Sequence, residues 1–166
     1  VESRETKKGE DIVREGVRRK NVLLISPSSH ENMADVKWLS PPLGIVRMAG
    51  WLRKFGHHAE WMDTNFELVI NKNPNAFEEK LKERKWDIVG ISMLEDTLVQ
   101  DLKYCYLVKK ICPEALIVGG GIEAQFNYQT VIDKSPCKVV ILGEGEVPML
   151  MMAEEYSLGD IPGIVL

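Results

Sequence analysis

Four short segments of the sequence concentrate the residues able to bond or admit a ligand. The first, Ser26 to Pro41, holds Ser26, Ser28, Ser29, His30, Asn32, Met33 and Trp38, hydrogen-bonding groups mixed with two large apolar ones. That mixture suits a large, partly apolar ligand. Gly44 is its only nearby glycine, so a glycine-rich phosphate cradle is absent. The second segment, Ser92-Met93-Leu94, offers a hydroxyl that either caps the helix after it or bonds a ligand. The third, Gly119-Gly120-Gly121 with Ile122 and Glu123 behind it, permits positive φ and lets something flat or bulky touch the backbone. The fourth, Gly143-Glu144-Gly145-Glu146, resembles half of a dinucleotide glycine run. Its carboxylates would repel a pyrophosphate, and acids at a helix N-terminus also satisfy the dipole.

Other reactive side chains are few. His30 is the one imidazole in these segments, while His57 and His58 follow Gly56 in a helix-to-strand turn and carry no expected catalytic role. The three cysteines, Cys105, Cys112 and Cys137, are separated by six and 24 residues, spacings that fit no zinc ribbon and no iron–sulfur run. An odd number of thiols without an export signal points to reduced cysteines and a cytoplasmic location. Twenty-one basic against 25 acidic residues give a net charge of −4, with no basic footprint for nucleic acid. Apolar runs are short, so no membrane span is expected.

The elements that must position these segments alternate. Asn21–Ser26 is a continuous apolar run, the mark of a strand buried on both faces. Pro41-Pro42-Leu43-Gly44 opens a helix in which Ile45, Met48, Ala49, Leu52 and Phe55 recur at spacings of three and four before Gly56. A strand follows over 58–62, a helix over 75–84 and a strand over 86–92. Then come a helix over 96–111, stopped by Pro113, and a strand over 115–118. A helix over 123–134, a strand over 138–142, a helix over 147–156 and a start of a sixth strand in 162–166 complete the chain. Repeated β-α units in 166 residues imply an α/β, Rossmann-like (flavodoxin-like), doubly wound parallel sheet of five strands between two helix layers. In such sheets ligands sit at the carboxyl ends of the strands, where all four segments fall. Residues 1–20, with seven basic and five acidic side chains, read as a charged arm or loosely docked helix ahead of a domain over 21–166.

Taken together, the pieces resemble the cobalamin-binding domains of radical S-adenosylmethionine enzymes. The resemblance runs through Pro41-Pro42-Leu43-Gly44, Trp51-Leu-Arg-Lys-Phe-Gly-His57, Asp87-Ile-Val-Gly-Ile-Ser92, Ile117-Val-Gly-Gly-Gly121, Gly143-Glu-Gly-Glu146 and Ile161-Pro-Gly-Ile164. It implies a corrinoid held over the strand ends, its nucleotide tail bordered by an Asp-x-His-x-x-Gly loop, a Ser-x-Leu and a Gly-Gly. Ser92-Met93-Leu94 matches the second and Gly119-Gly120-Gly121 the third. Ser28-Ser29-His30-Glu31-Asn32-Met33 does not match the first, so the resemblance implies a base-off, His-off corrinoid whose lower face is covered by residues of 26–42. No protein ligand to the metal is expected.

The resemblance also implies a covalently linked radical S-adenosylmethionine domain after the Ile-Pro-Gly segment, holding a 4Fe–4S cluster and S-adenosylmethionine. Its expected chemistry is methyl transfer or ring rearrangement, of methyltransferase or cyclase type. The chain itself would then carry no catalytic centre. Rival readings are a non-catalytic Rossmann-like interaction or regulatory domain that has lost its cofactor, and a flavodoxin-like FMN module. A receiver domain fits poorly, because serines stand where its acids belong.

Overall fold

The computed structural model of the chain describes residues 9–28, 39–94 and 97–166. The apolar run Asn21–Ser26 forms β1, whose four central residues are buried, and Ile88–Ser92 forms β3, also buried. They pair in parallel at the middle of a sheet ordered β2-β1-β3-β4-β5-β6, with β2 at His58–Asp63, β4 at Leu116–Gly120, β5 at Val139–Ile141 and β6 at Ile164–Val165. The first five strands are parallel in the expected Rossmann-like arrangement. The sixth extends that count and runs antiparallel to β5. Between β5 and β6 the chain passes through residues 142–163, which include a helix, and Leu142 N–H bonds the carbonyl of Gly163, a residue with φ +73°, where the two strands meet.

Alternation along the strands divides the core in two. Val22, Leu24, Ile88, Val118, Val139 and Ile141 face α1 (Leu43–Lys54) and α7 (Glu146–Ala153). Leu23, Ile25, Val89, Ile91, Ile117 and Val140 face the helices of the other side. Those are α3 (Ala76–Lys82), α4 (Leu98–Ile111), α5 (Ile122–Phe126) and α6 (Tyr128–Lys134). Helix α1 buries Ile45, Ala49 and Leu52, with Met48 and Phe55 half-buried against the same core. Gly56 ends it at φ +88°, with the Gly56 and His57 amides bonded to the Arg53 and Leu52 carbonyls in a Schellman-type close.

Three differences from the sequence reading go beyond one or two residues at an element's end. The helix expected over 123–134 is two, broken at Asn127 (φ −116°, ψ 25°), whose side-chain amide bonds Glu123 Oε1 at 2.6 Å. Helix α2, Thr64–Val69, was not expected. Asp63 caps it by accepting from the Asn65 and Phe66 amides, so a residue that reads as a strand end also starts a helix. Helix α7 stops at Ala153 because Glu155 turns left-handed at φ +59°.

Residues 9–20 lie against the amino-terminal end of the sheet. Ile12 is buried, and a side chain at Gly9 would strike Phe55 and Trp51 of α1. Arg14 N–H donates to Glu154 Oε2 at 2.8 Å, and Tyr156 hydroxyl donates to the Ile12 carbonyl at 3.0 Å. Arg18 pairs with Asp87 and Lys20 with Glu155. His57, buried at the same end, sits 2.9 Å from Glu154 Oε1. The segment described here is therefore docked by specific contacts.

Candidate functional site

The strand order passes from β2-β1 to β3-β4-β5 between β1 and β3, the reversal point at which ligands enter sheets of this class. A cleft of about 190 Å³ opens there on the α1/α7 side. Leu24, Gly90 and Val118 line its floor, Ile45 and Met48 of α1 one wall, and Met149 of α7 the other. Ser92 and Gly120, paired in register across β3 and β4, stand at its upper edge. The enclosure is chiefly apolar, with the Ser92 hydroxyl, the Glu144 and Glu146 carboxyl groups and the backbone of four strand ends. That is the composition of a site for a flat or bulky organic group.

Glycine shapes it by absence. A Cβ on Gly90 would lie 2.8 Å from Leu24 Cδ2 and 3.6 Å from Met149 Cε, so a side chain there would raise the floor. A Cβ on Gly120 would point toward the cleft with only Ile141 Cβ near, at 3.9 Å. On the opposite face, Gly119 leaves room for Met93 Cε and Cys137 Sγ, which its Cβ would meet at 3.1 and 3.4 Å. Gly121 turns the chain at φ +99° against the Met93 carbonyl. The Met93 amide donates to the Gly120 carbonyl at 2.7 Å, and the Glu123 amide donates to the Met93 carbonyl at 3.3 Å. The Ser92–Leu94 turn and the glycine turn are thus one hydrogen-bonded unit.

Gly143, Glu144 and Gly145 border the same cleft from the loop after β5. Their expected role at a helix N-terminus holds in part: Gly145 is the cap residue of α7, and Glu146 stands in its first turn. The acids also face a cation. Arg47 of α1 reaches across, its Nε 2.6 Å from Glu146 Oε1 and its Nη2 3.6 Å from Glu144 Oε2.

The remaining candidates lie around this centre. Met93 is fully buried in the core of the other sheet face, and Glu123 is buried beside it. Leu94, Ile122 and Leu43 are exposed and do not line the cleft. Ser26 ends β1, its carbonyl accepting from Thr64 Oγ1, and Ser28 lines a separate cavity with Thr64 and Tyr104. Ser29, His30 and Trp38 lie outside the described residues. The cap role considered for Ser92 is not seen: the residue before α4 is Thr97, whose Oγ1 contacts Leu94 and Asp101. Leu24, Gly90, Ile45, Met48 and Met149 were not among the expected site residues. Only Gly90 announced itself, as a glycine inside a strand pattern. Among the described residues no group of three or more His, Cys, Asp or Glu is placed to hold a metal ion, and no helix is long and apolar enough to cross a membrane.

Fold and cleft define a ligand-binding α/β domain of the flavodoxin-like order. Residues 30–151 match the family model described as B12 binding domain, and the chain belongs to that family. It is 26% identical over 138 residues to the anaerobic magnesium-protoporphyrin IX monomethyl ester cyclase of Cereibacter sphaeroides, covering 82% of this chain and 22% of that one. It is 27% identical over 155 residues to the cytidylyl-2-hydroxyethylphosphonate methyltransferase of Streptomyces wedmorensis, covering 84% and 29%. The chain therefore spans about a quarter of the length of these curated relatives. Among solved structures it resembles the radical S-adenosylmethionine methyltransferase TsrM from Kitasatospora setae with cobalamin and an iron–sulfur cluster bound. The TM-score is 0.74 at 19% identity, over 89% of this chain and 29% of that one. It also resembles the cobalamin-dependent S-adenosylmethionine radical enzyme OxsB with aqua-cobalamin bound, at TM-score 0.65 and 19% identity over 99% and 23%. At these identities the structural likeness carries the fold.

Proposed function

We propose that this chain binds cobalamin at the carboxyl ends of its strands, base-off and His-off, as the N-terminal domain of a radical S-adenosylmethionine enzyme that transfers methyl groups or rearranges rings. Residues 21–166 would form the cobalamin-binding domain, with 1–20 as a charged leading segment. The observation that carries the reading is the cleft at the β1/β3 reversal, cleared of side chains by Gly90 and Gly120 and edged by Ser92. Its 190 Å³ have room for a bicyclic aromatic base, which fits a nucleotide tail entering the domain. Ser92 would donate to or accept from the tail, and Ile45, Met48 and Met149 would exclude water around it. A bound corrinoid supplies a cobalt centre able to carry a methyl group. The iron–sulfur cluster and S-adenosylmethionine would belong to the covalently linked catalytic domain, and the residues described here hold the cofactor in place.

Titration with hydroxocobalamin is expected to give a base-off spectrum and a Kd of about 1 μM or tighter. Gly120→Leu fills the cleft from a position with free space around its Cβ. It is expected to weaken binding by at least about tenfold, roughly 1.4 kcal/mol, while the cooperative melting transition is kept. A wild-type chain with no spectral change and no thermal shift would sink the reading, and a thermal shift with FMN instead would favour the flavin alternative. His30→Ala checks the His-off assignment. Its spectrum and affinity should equal the wild type's, and a loss of affinity with a changed spectrum would put the imidazole on cobalt.

A further inference from the structure

Asp101, in the first turn of α4, is fully buried and has not been given a role. Its Oδ2 lies 2.7 Å from Thr97 Oγ1. The same hydroxyl oxygen lies 2.8 Å from the Leu94 carbonyl oxygen and 3.1 Å from the Leu94 amide nitrogen. A threonine hydroxyl has one proton to give. If Asp101 is ionised, Thr97 faces two acceptors with that single proton, and one close oxygen–oxygen contact is left without any. If Asp101 carries a proton on Oδ2, every contact is satisfied. Asp101 then donates to Thr97, Thr97 donates to the Leu94 carbonyl, and the Leu94 amide donates to Thr97.

The surroundings favour the protonated form. Asp101 Oδ1 is buried with no hydrogen-bond partner among the described residues, a heavier cost for a carboxylate than for a carboxyl. Among the described residues the titratable groups that face it are Glu123 from α5 and Tyr104 and Cys105 from α4 itself, and none is basic. Burial pushes the Asp101 carboxyl up to about 7; the Thr97 hydroxyl and the Leu94 amide oppose the rise, and the Glu123 carboxylate adds to it.

The geometry points to Asp101 as a positioning residue for the cofactor site, holding the Ser92–Leu94 turn in its binding shape while its carboxyl carries a proton. Leu94 ends that turn, and Met93 in the middle is bonded to Gly120 and Glu123 of the glycine turn. Fixing Leu94 through Thr97 therefore fixes Ser92 and Gly120 relative to each other at the edge of the cleft. Deprotonation makes the carboxylate compete for the Thr97 proton, which frees the Leu94 carbonyl and loosens the turn. The inference rests on the cobalamin reading for its effect on binding. The proton assignment itself can be tested without cofactor.

The experiment compares the wild-type chain with Asp101→Asn and Asp101→Leu between pH 5.5 and 8.5, by hydroxocobalamin titration and by ligand-free thermal melting. The asparagine amide donates permanently to Thr97, so this variant should bind cobalamin at all pH values as the wild type does at pH 5.5. Relative to it, wild-type affinity should fall about five- to tenfold as pH rises through 7, the low end for coupling between sites. Asp101→Leu should bind weakly throughout. Without cofactor the sign also follows. The unfolded chain ionises this acid near pH 4 and the folded chain near 7, so the folded form alone holds the proton in that interval. Wild-type melting temperature should therefore fall between pH 5.5 and 7 relative to Asp101→Asn and then level off. Parallel ligand-free profiles for these two chains overturn the proton assignment. A ligand-free difference with parallel affinity profiles overturns the positioning role. Absence of cobalamin binding by the wild type at every pH overturns the cofactor reading and leaves the melting difference intact.

Discussion

A methyl group on Gly121 would sit 2.5 Å from the Met93 carbonyl oxygen and 3.1 Å from the Met93 nitrogen, at a φ of +99° that side chains avoid. Neither the backbone oxygen nor the turn can move aside, since Met93 is tied to Gly120 and Glu123. Gly121→Ala is therefore expected to cost about 2–4 kcal/mol in urea unfolding. Gly120→Ala, one residue earlier, enters free space in ordinary backbone geometry and should change stability by less than about 1 kcal/mol. Comparable losses at the two positions would contradict the assignment of separate roles. Three consecutive glycines were legible as a special turn. Their separate reasons were not, because Gly119 answers to Met93 and Cys137, Gly120 to the cleft, and Gly121 to the backbone itself.

Elements were read from periodicity, and it served best where burial is complete. The continuous runs of β1 and β3 and the three-four spacing of α1 survive in the structure because nothing else competes for those faces. Periodicity served less well where one side chain decides a boundary. Asn127 interrupts 122–134 by leaving helical backbone geometry (φ −116°, ψ 25°), and a helical pattern does not register such a break. Asp63 extends the backbone and caps α2 at once, so a strand end concealed a helix start. The cleft walls were hidden for a related reason: Ile45, Met48 and Met149 look like ordinary core residues, and only the tertiary packing of α1 and α7 shows that they stop short of filling the space. Polar wall residues were easier to find, because Ser92 and the glycine turn lie at strand ends in a fold whose ligand edge is known from topology alone.

At the scale of the whole molecule the sheet has two differently constructed ends. The carboxyl end holds the cleft, while the amino end is closed by residues 9–20, about 20 Å away along six-residue strands. That closure is specific: Ile12 enters the core, the Arg14 amide meets Glu154, and Tyr156 meets the Ile12 carbonyl. The Glu154 carboxylate is shared between Arg14 N–H and His57 Nε2 in a buried setting. His57 Nδ1 accepts from the Lys20 amide at 3.3 Å, which leaves the ring proton on Nε2 to face the carboxylate. Removing residues 1–16 keeps Lys20 and β1 but exposes the Ile12 site and leaves a Glu154 oxygen without its amide. Burial of one isoleucine and two hydrogen bonds at about 1 kcal/mol each put the expected loss at about 3–5 kcal/mol in denaturant unfolding. The half-buried Lys20–Glu155 pair is kept in both chains. Because the strands between the two ends are unchanged, cobalamin affinity of the truncated chain should match that of the full chain at temperatures where both are folded. A stability change below about 1 kcal/mol would mean that residues 9–16 only rest on the surface, and a parallel loss of affinity would mean that the two ends are coupled through the sheet.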